Sequence, residues 1–267
     1  MKIVVFDLDE TLGYFTELGI FWDSLDYYMK IKKKAPLSQT DFNDILDLYP
    51  EFLRPNIINI LNYLKTKKAS NCCNKIMIYT NNTGPRTWAN HIIEYFESKI
   101  GCKVIDQVIA AFKINGKNVE ICRTTHSKTH EDLIRCTKIP ANAEICYLDD
   151  TFYPEMANDN IYYINIKPYY YDLQFNYMIN TFINSDVGKR IVQGTNADTN
   201  DFTDIMNKHI KLYKYKEMNK DLKEYEVDKV LGKQILNHLH EFFNKSRKNI
   251  TLKNRGKKRN KTYKKRD

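Results

Sequence analysis

Lys2-Ile3-Val4-Val5-Phe6-Asp7-Leu8-Asp9-Glu10-Thr11-Leu12 is the stretch on which the reading of this chain turns. Ile3 to Phe6 form an uninterrupted apolar run that ends in two carboxylates spaced i, i+2 and a hydroxyl at i+4. That pattern predicts a short buried strand whose C-terminal end opens into a polar loop. In α/β sheets the chemistry is kept at such strand ends. Asp7, Asp9 and Thr11 share one face of an extended backbone, and a loop that begins at Asp7 can turn the Asp9 side chain around the same centre. Two carboxylates that close repel unless a cation sits between them. Mg²⁺ is the economical choice, because it takes oxygen ligands in an octahedral shell with several waters. The rival reading is an acidic turn with Thr11 as a helix cap.

Working outward, Leu18, Phe21, Trp22, Leu25 and Met29 predict a helix over Thr16 to Ile31, in which Trp22 and Tyr27/Tyr28 serve as core or as the floor of a substrate pocket. A second helical piece, Leu37 to Tyr49, starts at Ser38 or Thr40. Arg54-Pro55 precedes a helix over Asn56 to Lys67, with Ile57, Ile60, Leu61 and Leu64 on one face. It leads into a second buried strand, Lys75 to Asn82. The order strand, helix, strand implies parallel pairing. A helix over Trp88 to Ile100, a strand region Val104 to Phe112 and a hairpin Lys113 to Ile121 turning at Asn115-Gly116 come next. Lys128 opens a helix through Leu133-Ile134, Glu144 to Asp150 is a third strand ending in acids, Ile161 to Ile166 is one more strand, and Thr203 to Asn244 is helical and charge-rich.

Three strands therefore end in Asp7/Asp9, Thr80/Asn81 and Asp149/Asp150, with Lys128 ahead of the last. In a parallel sheet these groups converge on one edge. A nucleophilic carboxylate, a proton-transfer carboxylate, a hydroxyl and an amide for phosphate oxygens, a lysine to offset charge and two more acids for Mg²⁺ make a phosphoryl-transfer site. Each residue alone has a structural reading, as strand-end hydroxyl, turn, solvated lysine or helix cap. Four such coincidences in the right order do not.

On these residues the chain resembles the haloacid dehalogenase superfamily, whose motifs are DxDx[TV], a strand-end Thr or Ser, a Lys or Arg, and a late acidic pair. The resemblance covers about Met1 to Pro168. Within it, Asp7 to Leu12, the Leu53-Arg54-Pro55 step before a helix and the hairpin insert are similar to the RNA polymerase II C-terminal-domain phosphatases. That branch commonly has Glu where this chain has Glu10, and many other phosphatases of the superfamily have Gly there. Thr151-Phe152-Tyr153-Pro154 departs from the branch. The resemblance implies a Rossmann-like parallel sheet flanked by helices, with a small hairpin insert and no large cap, and the helical pattern after it adds extra C-terminal helices. It implies Asp7 as nucleophile and metal ligand, and Asp9 as general acid and base with its backbone carbonyl on the metal. Thr80 would hold a phosphoryl oxygen, Lys128 would neutralise the phosphate and Asp7, and Asp149 and Asp150 would complete the Mg²⁺ site. Thr11 and Asn81 are the candidate substrate-binding residues, and Lys113 competes with Lys128 for the lysine motif.

The 267 residues, 42% of them apolar, suffice for a real core. The formal charge of +9 is concentrated: Lys245 to Asp267 hold 12 Lys/Arg and one acid, leaving 30 Lys/Arg against 32 Asp/Glu in residues 1–244. The expected division is a phosphatase domain over 1–184, a helical extension over 185–244 and a basic, disordered tail over 245–267. Six cysteines without a CxxC pair or His/Cys metal spacing predict reduced, mostly buried thiols in an intracellular protein, cytoplasmic or nuclear. No apolar stretch reaches the roughly 20 residues of a membrane span, so no membrane partner is expected. The functional expectation is a Mg²⁺-dependent phosphomonoester hydrolase acting on a phosphorylated Ser/Thr protein segment. The alternatives are a nucleic-acid end or nucleotide phosphatase, and a catalytically weak protein that binds nucleic acid through its basic tail.

Overall fold

Ile3, Val4, Val5 and Phe6 are all buried because the strand they form, β1 (Lys2–Phe6), is the middle strand of a sheet. The computed structural model describes residues 1–192, 196–216, 218 and 220–244. β1 pairs in parallel with β2 (Lys75–Tyr79), Val4 opposite Ile76, and on its other edge with β6 (Glu144–Asp149), Val4 opposite Cys146. β3 (Gln107–Ile109) and β7 (Ile161–Asn165) complete a five-stranded parallel sheet in the order β3-β2-β1-β6-β7. β4 (Lys113–Ile114) and β5 (Lys117–Asn118) form the expected hairpin, turning through Asn115 and Gly116 with φ of 50° and 76°. Positive φ at both positions is the type I′ geometry that Asn-Gly favours.

Alternate residues of a strand face opposite sides. Val4, Phe6, Ile76, Ile78, Cys146 and Leu148 accordingly enter the larger core, and Ile3, Val5, Met77, Tyr79, Ile145 and Tyr147 the smaller one. The larger core is covered by α1 (Thr16–Ile31), α2 (Gln39–Asp47), α3 (Ile57–Ala69) and α4 (Arg86–Ile100). It also takes in α6 (Phe175–Asn184), α7 (Asp186–Val192), α8 (Asn196–Ile210) and α9 (Leu222–Asn244). On the other face Leu133 of α5 (His130–Thr137) and Met156 of a 3₁₀ turn at Pro154–Met156 cover the sheet. Helices on both faces of a parallel sheet make the architecture α/β. Met178, Phe182, Val187, Phe202, Met206, Leu239 and Phe242 share one hydrophobic cluster with β1, so the C-terminal helices pack into the same core as the first strand.

Several expectations are corrected. The helical stretch Thr203 to Asn244 is two helices, because Lys214 takes the left-handed conformation (φ 50°) and Asp172 holds the segment after it, accepting from the Tyr215 hydroxyl at 2.5 Å and from the Met218 N–H. The strand region Val104 to Phe112 contracts to β3. The helix expected to open at Lys128 begins two residues later, capped by Thr129, whose hydroxyl oxygen accepts from the Asp132 N–H at 3.0 Å. Ser38 rather than Thr40 starts α2, in a capping box with Asp41. Cys122 and Cys136 are joined in a disulfide, while Cys72, Cys73, Cys102 and Cys146 are thiols. The pair arises from tertiary proximity, the loop after the hairpin lying against the last turn of α5. Among the described residues no helix is long and apolar enough to cross a membrane. α9 ends beside Lys2, whose ammonium donates to the carbonyls of Phe242 and Phe243, at the sheet edge opposite Asp7. The basic tail Lys245 to Asp267 lies outside the described residues.

Candidate functional site

The Asp7 N–H continues the ladder of β1 by donating to the Leu148 carbonyl at 2.8 Å, which puts the Asp7 side chain at the C-terminal edge of the sheet. The chain then folds back at once: the Leu12 N–H donates to Leu8 O at 2.9 Å and the Glu10 N–H to Gly13 O at 2.7 Å, with Glu10 at φ 58°. A Cβ at Gly13 would lie 2.5 Å from the Phe52 carbonyl oxygen, so only glycine fits there.

Lys128 reaches this edge from the other face. Its Nζ lies 2.5 Å from Asp7 Oδ1 and 2.7 Å from Asp149 Oδ2, with all three side chains buried or nearly so. Burial pushes the Asp7 carboxyl up to about 7, against the pull of Lys128, and Asp149 adds to the rise. Burial works against the charge of Lys128 as well, but Asp7 and Asp149 outweigh it and hold the ammonium protonated. Asp149 is raised by burial and fixed by three donors: Lys128, the Tyr147 hydroxyl and the Thr151 N–H.

Asp7, Asp149 and Asp150 each offer an oxygen within 4.8 Å of the others. With Asp9 beside them, four carboxylates face one lysine, a deficit of positive charge that a divalent cation would largely offset. An all-oxygen set suits a hard cation such as Mg²⁺. The Asp9 carboxylate is not part of that set. It accepts from the Asn82 Nδ2 at 2.7 Å, and burial raises its pKa.

The remaining expected residues divide. Thr80 is buried, and its Oγ accepts from the Asn82 N–H at 2.9 Å. The Thr11 hydroxyl donates to Asp150 Oδ1 at 3.2 Å, so it steadies an acid of the cluster. Asn81 donates to the Tyr153 hydroxyl at 3.0 Å. Lys113 lies in β4 with its ammonium 4.8 Å from the Phe112 ring, and Lys128 alone of the two lysines meets the carboxylates.

Two residues given no role from sequence organise the site. Asn82 ties Asp9 to Thr80 and accepts from the Gly84 N–H at 2.8 Å. Arg54, 1% exposed, donates from Nε to Thr11 O at 2.6 Å and from Nη2 to Glu10 O at 2.5 Å and Lys167 O at 2.9 Å, over the Tyr169 ring. Burial pulls its pKa down to about 10, so it stays charged at neutral pH. Its fork therefore pins the loop that carries Asp9. Arg54→Met takes the donor from the Thr11 and Lys167 carbonyls, while Glu10 O keeps the Tyr169 N–H at 2.9 Å, and is expected to cost about 2–6 kcal/mol, at roughly 1–3 kcal/mol per orphaned group. Lysine lacks the fork and should recover only part of the loss. Urea unfolding checks this, and an unchanged midpoint in Arg54→Met would remove Arg54 from the support of the loop.

Set against known proteins, the chain matches no protein-family model, no curated protein and no solved structure.

Proposed function

We propose that the chain is a Mg²⁺-dependent phosphomonoester hydrolase of the haloacid dehalogenase type, working through an aspartyl-phosphate on Asp7. The observation that carries this is the division of labour at one sheet edge. Asp7 is paired with Lys128, while Asp9, two residues on, is held apart by Asn82. Asp7 attacks phosphorus, the bond from phosphorus to the substrate oxygen breaks, and Asp9 gives that oxygen its proton. Asp9 then takes a proton from water, the water oxygen attacks phosphorus, and the bond to Asp7 breaks to release inorganic phosphate. Burial favours the protonated form of Asp9 that the first step needs. Asn82 engages one Asp9 oxygen and leaves the other to carry the proton. Lys128 and Thr80 hold phosphoryl oxygens. Asp7, Asp149 and Asp150 would hold Mg²⁺, which when bound offsets the charge of the phosphoryl oxygens.

A phosphorylated Ser/Thr segment is the first-choice substrate, on the resemblance to the C-terminal-domain phosphatases. A polynucleotide end or a nucleotide is the second, on the basic tail in the sequence. The test is phosphate release from phosphopeptides, nucleotides, polynucleotide ends and an aryl phosphate, with Mg²⁺ and with EDTA. Turnover is expected only with the metal. Asp9→Asn should slow alkyl phosphates by roughly 10²- to 10⁴-fold and aryl phosphates much less, because a good leaving group needs little protonation. Equal losses on both would remove Asp9 as the acid.

A further inference from the structure

A groove of about 780 Å³ opens from the candidate site, with Asp9 and Asn82 at one end. One wall is a single face of α1, on which Thr16, Gly19, Trp22, Asp23 and Asp26 recur at helical spacing. Facing it are the start of α4, at Trp88 and His91, and Tyr213 and Tyr215 of the C-terminal extension. From Thr16 to Asp26 the wall runs ~15 Å at 1.5 Å per helical residue. That length seats about four to five residues of extended peptide.

The walls are rigid where they are aromatic. Trp22 packs edge-on against Phe42 and His91 at 5.2 and 5.4 Å, and Trp88 against Phe42 at 5.5 Å. Gly19 lies against the Trp88 ring, a Cβ there standing 3.4 Å from it, and both residues line the groove. The charge has one sign: Asp9, Asp23 and Asp26 line it, and no Lys or Arg does among the described lining residues. Asp26 pairs with Lys30 at 2.5 Å across one helical turn, and Asp23 accepts from the Tyr213 hydroxyl. Exposed contacts of this kind are weak and yield to an incoming cation.

We propose that this groove seats the chain flanking the phosphoryl group, and that the substrate is a phosphopeptide with a lysine or arginine three to five residues from the phosphorylated side chain. The inference rests on the phosphatase reading. Carboxylates attract the basic side chain, the tryptophan faces attract it further, and Phe15, Ile20 and Leu37, which also line the groove, take its methylene stem. A polynucleotide would bring a row of phosphates against the same carboxylates.

The test uses two phosphoserine peptides that differ only in carrying lysines or glutamates three to five positions to either side, and a 5′-phosphorylated oligonucleotide. Phosphate release is measured with Mg²⁺, and binding of labelled versions is read by anisotropy on the Asp7→Asn protein. The lysine peptide should exceed the glutamate peptide about tenfold in kcat/KM, the scale of two modest ion pairs, and both should exceed the oligonucleotide. In Asp23→Lys/Asp26→Lys the preference should reverse. The ratio within one variant does not depend on how much of it is folded, so poor folding does not mimic the result. Equal rates on the two peptides, an unchanged ratio in the double variant, or a faster oligonucleotide overturns the proposal. If the wild type releases phosphate from nothing, the phosphatase reading falls by itself. Anisotropy then decides the groove: tighter binding of the lysine peptide sustains it, and equal binding ends it.

Discussion

Asp7→Asn is expected to abolish phosphate release, by on the order of 10⁴-fold or more, while the protein stays folded. The loss is large because the remaining groups position the phosphate without being able to form the bond. Folding survives because Lys128 keeps Asp149 as a partner at 2.7 Å, so the substitution leaves no bare charge behind. Removing Asp7 also removes one acid from a cluster that burial already strains, as its own raised pKa records. Steady-state release from an aryl phosphate, with thermal unfolding as the control for folding, checks both halves. An Asp7→Asn protein that turns over at the wild-type rate ends the aspartyl-phosphate mechanism.

How much of this was legible in the sequence depends on whether a feature is set by periodicity or by tertiary placement. Ile3 to Phe6, Ile76 to Tyr79 and Ile145 to Leu148 read as strands because a strand covered on both faces is apolar at every position, and parallel pairing brings their ends to one edge. Asp7, Asp149 and Asp150 could thus be gathered from the strand pattern, while Lys128 stayed in competition with Lys113 until the structure set it against Asp7 and Asp149. Sequence position picks Asn81 over Asn82 as the residue for substrate, whereas it is Asn82 that meets Asp9. Past Tyr79 the alternation of a strand no longer fixes direction, and the loop turns Asn82 to Asp9 and Asn81 to Tyr153. Arg54 was visible only as part of the Leu53-Arg54-Pro55 step, and its role carries no local signal, since its partners Glu10, Thr11 and Lys167 are 44, 43 and 113 residues away. Cys122 and Cys136 escaped for the same reason, sharing neither a motif nor an element. The break after Ile210 was hidden because charge-rich helical spacing continues through a segment whose course is set by Asp172.

Lys128→Met is expected to damage both stability and turnover, whereas Lys113→Ala should do little to either. Lys128 is the cation that two buried carboxylates share, and its removal leaves Asp7 and Asp149 facing each other in a place that already disfavours their charge. Breaking a buried pair by deleting one partner costs about 3–5 kcal/mol, far more than the net worth of the intact pair, because the penalty is the uncompensated charge. In EDTA the loss should appear in full as a lower urea midpoint. Added Mg²⁺ should raise the midpoint of Lys128→Met more than that of the wild type, since a cation at Asp7, Asp149 and Asp150 then stands in for the missing ammonium. Turnover should not return with it, because the phosphate has lost the donor that holds it over Asp7. Lys113 leans on an aromatic ring in a two-residue strand, away from these acids, and its removal deprives no buried group of a partner. If Lys113→Ala were the damaging change and Lys128→Met the mild one, the charge balance of the whole cluster would have been misassigned.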